Sequence, residues 1–131
     1  VGACRWSAVA AVSVCAALGA PVCWWAGGGL AVPLSARLAG RTRAVVSAAS
    51  SGLLLFPSAP LSRGSWLAAR LALARGLPVV AFPLGFAPEQ LPALGPGAWQ
   101  PAPWRGGWRW APAELFSACG GLPHDRQSLF A

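Results

Sequence analysis

Three short apolar runs constrain this chain most: Pro21-Val22-Cys23-Trp24-Trp25, Leu53-Leu54-Leu55-Phe56 and Pro78-Val79-Val80-Ala81-Phe82. Each is continuous rather than alternating and is bounded by Gly or Pro, as strands buried on both faces of a parallel sheet are. Segments of helical length and composition separate them. Ser7 to Leu18 is the first, with Gly19 as its C-terminal stop. Leu34 to about Ser47 is the second, and Ser65 to Arg75, ended by Gly76 and Pro78, is the third. The run centres Cys23, Leu54 and Val80 stand 31 and 26 residues apart, the length of a strand–helix–strand unit. That alternation predicts an α/β sheet with helices on its faces.

Composition supports a folded body. With 131 residues, 56% of them hydrophobic and 10% charged, the chain is long enough for one core and too apolar for disorder. Lys, Ile, Met, Asn and Tyr are absent, a skew that reads as GC-rich coding and weakens any argument from Arg standing in place of Lys. The chain begins at Val1, and Val1-Gly2 is expected to be the end of a first strand that is mostly truncated.

Two classes are disfavoured. Trp6 to Ala36 carries no charge, but Gly19, Pro21, Gly27, Gly28, Gly29 and Pro33 divide it into pieces too short to span a bilayer. Cys4, Cys15, Cys23 and Cys119 form no CxxC pair and His124 is the only histidine, so neither a metal site nor a cofactor is expected. Reduced, buried thiols and a cytoplasmic location fit better.

The net charge of +7, from ten Arg against Glu89, Glu114 and Asp125, favours polyanionic partners. In wound α/β sheets such ligands sit where strand ends lead into helix N-termini, because backbone N–H groups and the helix dipole converge there. Three places qualify. Gly2 to Ser7 follows the truncated strand, with Gly2 for a tight turn and Arg5 for charge. Ser58 to Trp66 is the strongest: Ser58, Ser62 and Ser65 supply hydroxyls, Arg63 charge, and Gly64 close backbone approach, with Ser62 or Ser65 capping the helix. Arg37, Arg41 and Arg43 lie in the second helix. Arg37 and Arg41 share a face, and a break at Gly40 would bring Arg41 and Arg43 together at the strand ends.

Beyond Phe82 the composition changes. Residues 83 to 112 are rich in Pro and Gly and are expected to be irregular, apart from a turn of helix near Glu89 to Leu94; Cys119 to Ala131 reads as a polar tail. Trp99, Trp104, Arg105, Trp108, Arg109 and Trp110 interleave rings with positive charge, as single-strand binders do. Folding back as apolar cover is the preferred reading of these indoles.

Four segments together resemble the DNA-processing DprA (Smf) family, within the wider SLOG superfamily that also holds the LOG nucleotide hydrolases. They are Arg41-Thr42-Arg43-Ala44-Val45-Val46, Leu53 to Phe56, Ser62-Arg63-Gly64-Ser65 and Val79-Val80-Ala81-Phe82-Pro83. Gly2 to Leu18 resembles that family's Gly-rich first loop and helix. The resemblance spans about residues 1 to 85 and implies that Arg41, Arg43, Ser62, Gly64 and Ser65 line a pocket for phosphate or single-stranded DNA. Departures are plain: Thr42 stands where the family has Asn, Leu84-Gly85 follows Pro83, and Ser7 and Ala8 replace an acidic position. The Pro-Gly-Gly-x-Gly-Thr-x-x-Glu motif of the LOG hydrolases has no counterpart here.

The expected architecture is thus a Rossmann-like three-layer sandwich with a mainly parallel sheet over residues 1–85, followed by an irregular extension over 86–131. The expected function is non-catalytic binding of a nucleotide or single-stranded DNA, with self-association as a homodimer left open. Every carboxylate and the one His lie at or beyond Glu89, so the helix–strand region has no acid/base pair. The alternatives are a nucleotide-processing enzyme whose catalytic residues belong to a missing N-terminal part, and a membrane-associated fragment.

Overall fold

A computed structural model describes residues 5–22 and 28–114, with helix side chains from residue 9 onward. The elements run α1 (Arg5–Ala17), α2 (Leu34–Ala48), β1 (Leu53–Leu55), α3 (Arg63–Ala74), β2 (Val79–Ala81), a 3-10 turn (Pro88–Gln90), β3 (Gly97–Pro101) and β4 (Trp108–Pro112).

Local signals end the helices where expected. At α3, Leu77 N–H donates to the Ala72 carbonyl and Gly76 N–H to that of Leu73, with Gly76 at φ +72°. This is a Schellman closure, and its left-handed residue is most easily a glycine. Gly19 closes α1 in the same way, through Ala20 N–H to Cys15 and Gly19 N–H to Ala16.

The sheet has four strands in the order β1-β2-β4-β3. β1 and β2 are parallel, Leu53 opposite Val79 and Leu55 opposite Ala81, with α3 as the crossover between them. β4 then pairs antiparallel with β2, Val80 opposite Arg109, and β3 antiparallel with β4. The protein is α/β with an open mixed sheet. The expected mainly parallel sheet is corrected: one of the three pairings is parallel and two are antiparallel.

The expected irregularity of residues 83–112 is also corrected. Residues 97–112 form a hairpin, and its β4 strand lies beside β2 within the same sheet. Period-two alternation in Trp108-Arg109-Trp110 is the reason. Trp108 and Trp110 turn to the helix-covered face, Trp110 being buried, while Arg109 points to the other face. Most of the tryptophans therefore act as cover, as preferred from sequence, but as strand residues.

The core lies on one side of this sheet. Trp66, Ala69 and Ala72 of α3 pack on Leu55, Val79 and Ala81, with Val46 of α2 and Leu91 completing the cluster. Ala at the contact positions lets α3 approach the sheet closely, and Trp66 supplies the bulk. Trp66 meets Trp99 edge-on at 6.4 Å, and Trp99 meets Trp110 at 5.3 Å. The two indole N–H groups that enter this region are satisfied by carbonyls, Trp66 by Pro60 at 2.7 Å and Trp99 by Pro92 at 2.9 Å.

The opposite face of the sheet is open over β1. Leu54 is 54% exposed, so β1 is not buried on both faces as its composition suggests, whereas β2 is buried throughout. Of the first apolar run, Pro21 and Val22 are exposed and carry no strand, and 23–25 lie outside the described residues. The expected first strand at Val1-Gly2 lies outside them too. Among the described residues no helix is long and apolar enough to cross a membrane.

A candidate phosphate-binding groove

The crossover geometry places the C-terminal end of β1 beside the start of α3, and α2 lies against α3 alongside. Between these three elements is an open cavity of about 470 Å³. Arg41, Thr42 and Val45 of α2 form one wall, Ser62, Gly64 and Ser65 the other, and Leu53 to Leu55 the floor.

Helical periodicity explains the first wall. α2 runs unbroken through Gly40, so Arg41 and Val45 are one turn apart on one face with Thr42 beside them. Thr42 Oγ1 donates back to the Leu38 carbonyl at 3.1 Å, which holds its methyl and oxygen in place along the groove.

The second wall is the first turn of α3. Ser62 occupies the N-cap position, but no side chain caps the helix. Its hydroxyl pairs instead with that of Ser65 at 3.0 Å, which corrects the expectation that one of these serines caps α3. The first-turn N–H groups consequently have no side-chain acceptor, and this positive end of the helix dipole borders the groove. Among the described residues, one arginine, three hydroxyl side chains and no carboxylate line the cavity, a set that suits an anion.

β1 adds backbone groups. Leu53 N–H donates to Pro78 and Leu55 accepts from Phe82 N–H, both toward β2. Alternation along a parallel strand turns the peptide groups of Leu54 toward the free edge that borders the groove.

Of the residues singled out from sequence, Arg41, Ser62, Gly64 and Ser65 come together here. Arg43, Ser58 and Arg63 are exposed and do not line the groove. Arg43 fails to join Arg41 because Gly40 does not break α2, leaving the two on different faces of one helix. Arg63 and Ser58 point to solvent on either side of the Ser62 turn. Gly2 lies outside the described residues, as does the side chain of Arg5. Thr42 and Val45 were not anticipated as lining residues. Their spacing from Arg41 was the available signal, readable only once α2 is known to be continuous.

No family model, curated protein or solved structure matches the chain.

Proposed function

We propose that this chain is a binding module for a nucleotide-type ligand, held by its phosphate in the groove between α2, β1 and α3. The observation that carries the reading is the convergence of Arg41 with Ser62, Gly64 and Ser65 on one cavity, although they come from two helices. Arg41 neutralises the phosphate, the α3 N-terminus donates N–H bonds to it, and the Ser62–Ser65 pair opens to donate hydroxyl bonds. The floor of Leu53 to Leu55 receives the apolar face of the base or sugar.

The finer fold reading belongs here as well. A parallel β1–α3–β2 unit with its ligand at the strand's C-terminal end is the half-unit from which Rossmann-like domains of the DprA type are built, and the position of the groove supports that assignment.

Binding without catalysis is favoured by what lines the groove. Among the described residues no His and no carboxylate borders it, so none of them offers either serine a base to activate it as a nucleophile.

The test is calorimetric titration of the chain with adenosine monophosphate, adenosine and inorganic phosphate. The expected result is binding of the monophosphate, competition by phosphate, and a loss of about tenfold or more in an Arg41→Ala variant, the scale of one charge-assisted hydrogen bond. Equal binding of adenosine and its monophosphate, or no binding of either, overturns the reading.

A further inference from the structure

The sheet face opposite α3 holds a second group of residues, of which the groove uses only Leu54. Leu54 of β1 and Val80 of β2 turn onto it, followed two residues on by Phe56 and Phe82 just past the strand ends; Leu54 and Phe56 are exposed, Val80 is buried, and none of the four belongs to the core cluster under α3. Arg109 joins them from β4, directly across from Val80. Trp104, in the β3–β4 turn, is 57% exposed and borders a shallow cavity of about 430 Å³ with Leu54, Val80 and Arg109.

Two details make this face a platform rather than a remnant of core. Phe56 and Phe82 stack nearly parallel, centroids 5.2 Å apart and planes 13° apart, with Phe56 59% exposed. Under Phe82 sits Gly107: a Cβ there would lie 3.0 Å from Phe82 Cε1 and 3.2 Å from the Trp104 carbonyl oxygen. The missing side chain lets the Phe82 ring rest on the hairpin and brings the Trp104 turn close beside it.

We infer that this face is a stacking platform for single-stranded nucleic acid, centred on Trp104 and adjoining the Arg41 groove along β1. Bases extend the Phe56–Phe82 stack and cover Trp104, a mode that any base satisfies because each has a π-face. Arg109, and Arg105 next to Trp104 in the turn, neutralise the adjoining phosphates. Charge decides between this occupant and a second copy of the chain. Glu114 lies beside Leu73 and Trp110, on the helix side, and Glu89 precedes the core residue Leu91. A copy docked through this face would therefore set arginines against a surface that offers them no described carboxylate, whereas a polyanion complements it.

The experiment is fluorescence-anisotropy titration of labelled dT and rU oligonucleotides of ~15 residues with the full chain, over a range of salt. The expected result is binding of either strand with affinity lowered about tenfold in Trp104→Ala. The salt slope, near −1.4 for two neutralised phosphates, should fall to about half in Arg109→Gln. Both side chains are exposed, and circular dichroism melts matching the parent chain exclude misfolding as the cause. Photocross-linking of a 5-bromodeoxyuridine strand should map to Trp104 or Phe56. A preference for rU over dT identifies RNA as the source of the strand, the reverse identifies DNA, and either supports the platform. Binding that survives Trp104→Ala and Arg109→Gln but is lost in Arg41→Ala overturns it and places the strand in the groove. Absence of binding, or a dimer that Trp104→Ala dissociates and oligonucleotide does not, overturns it as well. Because the groove is tested by mononucleotide and Arg41, either proposal can fail while the other stands.

Discussion

Arg75, at the end of α3, donates its Nη1 to the carbonyl of Ala49 at 3.1 Å, and the same group reaches the Val46 carbonyl. One belongs to the last turn of α2, where the Val46 carbonyl also accepts from the C-cap N–H of Ala49, and the other is the carbonyl of the C-cap itself, beyond the helical bonds. A cation at a helix C-terminus also complements the dipole. One of the ten arginines is therefore committed to holding α2 against α3, the arrangement that forms the wall of the groove.

Arg75→Ala should lower stability by about 1–2 kcal/mol, since the bonds are charge-assisted but partly exposed to solvent. A thermal melt should show the transition several degrees lower, and Arg75→Lys, with its single donor head, should recover only part of the loss. An unchanged melt in Arg75→Ala would mean that the contact contributes nothing.

Arg41 and Arg43 separate the groove reading from a general charge effect. Arg41→Ala should weaken mononucleotide binding while Arg43→Ala leaves it within about twofold, although both remove the same charge. Equal losses measured by calorimetry would show that the proposed ligand responds to net charge alone.

Trp66 tests the core. It is 5% exposed, and its indole N–H is the partner of the Pro60 carbonyl that shapes the loop before α3. Trp66→Ala should cost about 3–5 kcal/mol through the cavity it leaves. Trp66→Phe should cost less, about 1–2 kcal/mol, mainly through the orphaned carbonyl. Chemical denaturation of both variants measures the order; the reverse order would contradict the packing described.

Gly97 opens β3 with φ +145°, and a Cβ there would collide with the Ala111 carbonyl oxygen across the strand pair. Gly97→Ala should therefore destabilise the hairpin by about 2 kcal/mol or more. Hydrogen exchange should show the effect as faster exchange of the β3 and β4 amides. Unaltered protection of those amides would show that the strand tolerates a side chain at this position.

Much of this was legible in the residues because the signals are local. Gly19 and Gly76 end their helices through bonds to carbonyls only a few residues back, so no distant partner is needed to read them. The Leu53 and Val79 runs announce strands by their composition, and Ser62-Arg63-Gly64-Ser65 announces a helix start rich in donors. The hairpin was hidden because Pro and Gly around Trp99 to Trp110 mask a five-residue alternation. Its strand partner Val80 is also remote along the chain from Arg109.

By itself, then, the sequence determined that the chain would alternate helices with strands and where the hydroxyl-rich turn into α3 would fall. Those outcomes follow from propensity, capping and apolar pattern within short windows. Only the tertiary structure decided that the sheet would be mixed, because β4 gains a partner for its backbone and burial for Trp110 by pairing with β2. It also decided that Arg41 rather than Arg43 would face the groove. That choice depends on α2 staying continuous through Gly40 while it packs on α3, a contact that no local window contains.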